Sequence, residues 1–218
     1  MVRMGLVDPD DPLAAVENIT ESEGLFRLGL ISFLIDVVLA WALYIVFRPA
    51  GERRSLLAAW FRLTYTVFLG VAVILLFLAL ELVTGTTHAD PLGTTTALAL
   101  EGFNYTWPIG LAAFGIHLVM VGRMLTRAPL ASPWLGIDLM VAGSAYVVDT
   151  LAYVLLSNYA EYENLLLAIV AIPAVVGELA LTVWLLGRSG KAMATHDPAI
   201  PASPYRRIPA SSRTLARV

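Results

Sequence analysis

The sequence contains no cysteine. That absence removes disulfides, thiolate metal sites, iron–sulfur ligation and cysteine nucleophiles together. Lysine is almost missing too: Lys191 stands against 13 arginines, a bias that reads as a GC-rich genome rather than as function. Charge of either sign is scarce, at 14% of 218 residues, while 58% are hydrophobic. A soluble globular domain carries about 25% charged and about 45–50% apolar residues. The solvent that suits this composition is a bilayer.

The apolar residues gather into five runs, at 25–47, 56–83, 103–125, 134–157 and 165–187. Each is long enough to cross a hydrocarbon core of about 30 Å at about 1.5 Å per residue. The expected fold is all-α, a polytopic transmembrane bundle over 25–187. Residues 1–24 are polar and acidic and lack the parts of a secretory signal, so no peptide is expected to be removed. Thr20 and Glu23 have capping-box spacing and predict the start of the first helix, which ends before Pro49 and Gly51. Segment 84–102 carries turn signals and a short amphipathic piece at 94–100, expected at the interface or as an extension of the third helix. Pro108 predicts a kink or a broken first turn in that helix, and Pro173 falls inside the fifth. Residues 188–218, with four prolines and a basic excess, read as a flexible cytoplasmic tail.

Positive charge is retained on the cytoplasmic side of a membrane. Arg48, Arg53, Arg54, Arg123, Arg127 and the six basic residues of the tail make eleven on one side. The other side carries only Arg3, against ten Asp and Glu. The N-terminus is therefore expected outside and the C-terminus inside, in a bacterial or archaeal plasma membrane.

Eight ionisable residues interrupt the apolar runs: Arg27, Asp36, Arg62, Glu81, His117, Asp138, Asp149 and Glu178. Each costs about 2.5–3.5 kcal/mol at the bilayer centre on insertion scales if it is a charge, so such residues are expected to face the interior, pair or line water. Arg27 and Glu81 sit near the outer ends and can snorkel; Asp138 is near the inner edge. Asp36 and Glu178 fall near mid-membrane, Arg62 and His117 closer to the cytoplasm, and Asp149 slightly beyond the middle. Their depths allow one buried polar network of Asp36, Arg62, His117, Asp149 and Glu178. Small residues repeat beside them at helical spacing (Gly29, Ser32 and Ala40; Ala59, Thr66 and Gly70; Ala142, Ala145 and Ala152; Ala171, Ala174 and Thr182), which makes each charged face the expected packing face. Two carboxylates with one arginine leave one acid to be protonated or hydrogen-bonded, the candidate for proton-linked work.

Other chemistry is weaker. His88, His117 and His196 fall at three different depths, so neither a multi-histidine metal site nor bis-histidine haem ligation is expected. A site of His117, Asp138 and Glu178 is a weak alternative. Gly187-Arg-Ser-Gly-Lys191 lacks phosphate-loop spacing, and Ser144 lacks the nucleophile-elbow pattern. The sequons at Asn18 and Asn104 lie on the outer side. No cofactor, resident metal, catalytic residue or nucleic-acid partner is expected.

Several motifs resemble a known family. They are Asn18-Ile-Thr-Glu-Ser-Glu-Gly-Leu-Phe-Arg-Leu-Gly, Asp36-Val, Leu43-Tyr44, Arg48-Pro49, Leu56-Leu-Ala-Ala-Trp-Phe-Arg62-Leu, Phe114-Gly-Ile-His117 with Gly122, Trp134-Leu-Gly136, Ala142-Gly143 with Tyr146 and Asp149, Pro173, Gly177-Glu178-Leu and Trp184-Leu-Leu. Together they are similar to the domain-of-unknown-function 4386 family of bacterial polytopic membrane proteins. The resemblance implies a small helical membrane protein with no established activity. It also implies a further hydrophobic helix ahead of Asn18. Either the bundle is one helix short, or another membrane subunit or a second copy fills that position, or the start is mis-assigned.

Two functions remain, with an intramembrane enzyme behind them. The preferred one is a non-catalytic accessory or scaffold subunit, or an assembly factor, whose charge network fixes helix register and whose partners are lipid and another subunit. The alternative is a proton- or ion-coupled small-solute transporter using Asp36, Arg62 and Glu178. The lack of an internal repeat favours the first.

Overall fold

The computed structural model describes residues 23–85, 93–127 and 132–194. Among them are five long helices and no strand: α1 (Glu23–Phe47), α2 (Glu52–Thr84), α3 (Thr94–Leu125), α4 (Pro133–Leu155) and α5 (Tyr159–Ala194). All five are long and apolar enough to cross a membrane. Their outer surface is built of residues such as Ile35, Trp41, Ile74, Ile172 and Val183, each more than half exposed. That surface suits acyl chains and not water. The chain is a multi-pass α-helical membrane protein.

A 3₁₀ turn, Arg48–Ala50, joins α1 to α2 with Pro49 in its first positions. Gly51 completes the reversal at φ +140°, a conformation that side chains with a Cβ rarely adopt. The Ser55 hydroxyl donates to the Tyr44 carbonyl at 2.7 Å and ties the two helices beside the turn.

α3 is the centre of the bundle and packs most extensively against α2 and α4. Its contact with α4 is backbone on backbone. A Cβ added at Gly115 would sit 2.5 Å from the Gly143 carbonyl oxygen, and one at Gly136 would sit 2.6 Å from that of Gly122. The reciprocal positions are equally blocked. Both glycine pairs repeat at seven residues, the spacing that keeps one seam of two helices in register. The main core lies on this seam, around Leu118, Val121, Leu125 and Leu139. α5 packs on α4 and returns to α1 where Phe47 stacks on Trp184, ring centres 6.2 Å apart.

All the helices but α4 run longer than hydropathy predicts. Segment 94–100 extends the third helix, and Pro108 does not break its first turn: α3 runs continuously through it, and the Thr150 hydroxyl donates to the Pro108 carbonyl at 2.8 Å. α4 ends at Leu155 and α5 begins at Tyr159, so the predicted loop before residue 165 is largely helix. α5 also continues to Ala194, past the expected start of the flexible tail at Arg188. Polar residues at helix ends sustain hydrogen bonding beyond the apolar run that hydropathy detects. The predicted cap Thr20, the acidic segment before it, His88 and His196 lie outside the described residues.

Candidate functional site

α1 and α2 form a hairpin, and Asp36 and Arg62 lie at similar distances from its turn, roughly 15 Å at about 1.5 Å per residue. The two are therefore level. Arg62 Nη2 donates to Asp36 Oδ1 in a close ion pair, with each side chain 10% exposed. One turn after Arg62, the Thr66 hydroxyl has its single proton to offer either to Asp36 Oδ2, at 2.5 Å, or to the Arg62 carbonyl, at 2.9 Å.

His117, fully buried on α3, closes the group from the other side. Its Nδ1 lies 2.9 Å from the Ala58 carbonyl oxygen, which can only accept, so Nδ1 carries the hydrogen. Nε2 is then left to accept from Arg62 Nη1 at 3.4 Å. The imidazole is neutral in this arrangement, and its only cationic neighbour here is already matched by Asp36. The Arg62 guanidinium also lies over the Phe114 ring, 5.3 Å from its centre, a cation–π contact. Of its nitrogens only Nε is buried without a partner.

Glu178 and Asp149, expected in the same network, share no hydrogen bond with the ion pair. α5 packs chiefly on α4 and meets the α1–α2 hairpin near its turn, where Trp184 stacks on Phe47; Glu178 lies six residues earlier on α5. It makes no side-chain hydrogen bond to Asp36 or Arg62, although its charge still interacts with theirs. It lines a cleft of about 330 Å³ between α3, α4 and α5, together with Asp149, Glu163, Trp107, Tyr146 and others. Phe114 stands between the two regions: it holds Arg62 on one side and meets Tyr146 edge-on, 5.7 Å away, on the other. Asp149 accepts from the Tyr159 hydroxyl at 2.8 Å, which fastens the end of α4 to the first turn of α5.

The edge charges divide as well. Glu81 is exposed in the last turn of α2. Arg27 lies on α1, but its side chain is outside the described residues. Asp138 packs against Gly177, and its Oδ2 is buried without a partner. The predicted small faces hold in part: Ala40, Ala59, Ala142 and Ala174 are buried, whereas Ser32 and Thr182 are exposed. Among the described residues no group of three or more His, Asp or Glu side chains is placed to hold a metal ion.

Two contributors escaped the sequence. Thr66 was expected only as a small packing residue, although its position one turn after Arg62 is a readable signal for shared polar contacts. Tyr159 fell in a segment expected to be loop, where helical spacing gives no signal.

A family model described as Domain of unknown function (DUF4386) matches residues 1–188. The chain is also similar to an uncharacterised protein of Archaeoglobus fulgidus, at 27% identity over 122 residues, which is 54% of this chain and 60% of that protein. The match thus spans less than two thirds of the archaeal relative. No solved structure matches the chain.

Proposed function

The chain belongs to the DUF4386 family, and from a charge network paired largely within itself we propose a non-catalytic membrane module, an accessory or scaffold subunit or assembly factor. In this reading Asp36, Arg62, Thr66 and His117 form a clamp that fixes α1, α2 and α3 in register. The observation that carries it is mutual pairing: the cation and the carboxylate neutralise each other, and threonine and histidine occupy further polar atoms, leaving Arg62 Nε alone without a partner. None of the four lines the cleft that holds Glu178.

The test is a charge reversal. Asp36→Arg and Arg62→Asp singly should lower the unfolding midpoint in nanodiscs, and the two together should restore much of it, with no proton flux in proteoliposomes at any stage. Variants that stay folded while losing a proton-linked flux would overturn the clamp.

A second reading, a proton- or ion-coupled transporter, is favoured by Glu178, a half-buried carboxylate beside a cleft and outside the clamp. It requires uptake into proteoliposomes that Glu178→Gln abolishes.

We further place the N-terminus outside and the C-terminus in the cytoplasm, in the plasma membrane, on the bias of arginine in the connecting segments. The natural lack of cysteine makes this directly measurable. A cysteine at Glu161 should react with an impermeant maleimide added to intact cells, and one at Arg53 should not.

A further inference from the structure

We propose that the cleft between α3, α4 and α5 binds a lipophilic organic cation, with the Glu178 carboxylate as counter-charge and Phe103, Trp107 and Tyr146 against its apolar body. The inference is independent of the clamp, because no clamp residue lines the cleft.

Size and shape come first. The cleft runs from Tyr159, at the start of α5, to Glu178, roughly 28 Å along the helix at about 1.5 Å per residue. Its volume of about 330 Å³ lies at the small end of the range of about 300–1,000 Å³ found for small-molecule sites.

Chemistry then selects the occupant. Asp149, Glu163 and Glu178 line the cleft, and among the described residues no Lys, Arg or His does. Arg62, the cation buried nearby, is neutralised by Asp36 and lies behind Phe114. An anion meets carboxylates there, and a cation supplies an ionised Glu178 with the counter-charge that a neutral guest cannot. A bare metal ion does not fit either. The three carboxylates are strung along the cleft without converging, and Asp149 already accepts from Tyr159. What remains is a diffuse cation with an apolar body. The aromatic wall matches it: Phe103 and Trp107 stack with ring centres 5.9 Å apart beside Tyr146, and ring faces attract cations that shed their water easily.

Two sources offer this chemistry, a free organic cation and the ammonium headgroup of a lipid. The experiment uses the full chain in nanodiscs, with tetraphenylphosphonium and tetraphenylborate as probes. They share one shape and carry opposite charge. Calorimetric binding is corrected with empty nanodiscs. The phosphonium should bind saturably and the borate should not. Glu178→Gln should weaken binding on the order of tenfold, the scale of one charge contact. Ala171→Phe, which fills the cleft and leaves every charge in place, should abolish it.

If Glu178→Gln does not fold, the contrast between the two ions on the unaltered chain and the Ala171→Phe result decide. Equal binding of both ions, or a folded Glu178→Gln that binds unchanged, overturns the proposal. Nanodiscs containing phosphatidylethanolamine, compared with phosphatidylglycerol alone, separate the sources. Weaker apparent phosphonium binding with phosphatidylethanolamine assigns the site to a lipid headgroup, and equal binding assigns it to a free cation.

Discussion

Two halves of one bundle bury acidic residues by opposite means. In the half made by α1, α2 and the facing side of α3, Asp36 meets a cation, a hydroxyl and, through the cation, a neutral imidazole. In the half made by α3, α4 and α5, Glu178 and one oxygen of Asp138 have no hydrogen-bond partner among the described residues. Both halves are built of helices apolar enough to cross a membrane, and the contrast lies in side-chain placement. A charge whose partners are all protein groups is part of the architecture, and removing any member is costly. A carboxylate beside a cleft is free to respond to whatever enters. The first arrangement spends stability on uniqueness of packing and the second keeps a chemical group in reserve.

The largest effect expected from this contrast concerns the ion pair. Arg62→Leu strands the Asp36 carboxylate and should destabilise the bundle by about 3–5 kcal/mol, the scale for breaking one partner of a buried pair. Asp36→Leu combined with Arg62→Leu should recover most of that loss, because the desolvation cost of both charges disappears with them. Glu178→Leu should be neutral or stabilising, since it removes an unpaired acid from a half-buried position. Unfolding midpoints in nanodiscs read all four proteins. Equal losses for Arg62→Leu and Glu178→Leu would erase the distinction between the halves.

Next in size is the seam that joins them. Gly143→Ala places a methyl against the Gly115 carbonyl, a backbone atom that cannot turn aside. Overpacking of this kind costs about 1–3 kcal/mol. Gly187→Ala, where an added Cβ meets nothing within 4 Å, is the matched control and should change the midpoint little. If Gly143→Ala is as harmless as the control, the helices are not in backbone contact.

How much of this was readable in advance follows from which forces act along one helix and which act between helices. Five spans, and the facing of Asp36 with Arg62, follow from hydropathy and from counting residues back to the shared turn at Pro49 and Gly51. Those are local quantities. The family resemblance was legible too, carried by motifs such as Asn18-Ile-Thr and Gly177-Glu178. Depth alone, however, placed Glu178 and Asp149 with Arg62. Depth fixes height in the membrane and says nothing of azimuth, and the azimuth of α5 is decided by its packing on α4. The glycines of α3 and α4 were visible as motif residues, but their pairing required knowing that Gly115 meets Gly143. The early start of α5 was hidden because Tyr159, Glu161 and Glu163 lower the hydropathy of a turn that is nonetheless helical.

The smallest expected effects set two single hydroxyls against each other. Thr66→Val keeps the shape of the side chain and removes its hydrogen bond to Asp36, at a residue 2% exposed. No water can replace it there, so its loss should approach the upper end seen for hydrogen bonds between membrane helices, about 1.7 kcal/mol. Tyr159→Phe removes the hydroxyl that Asp149 accepts from, but Asp149 is half-buried and lines the cleft. Water or a guest can take over that acceptor, and the cost should stay near the average for such bonds, about 0.6 kcal/mol. A reversed order, with Tyr159→Phe the more damaging, would mean that the α4–α5 side is as tightly closed as the clamp, and Glu178 would then have no access to anything but protein.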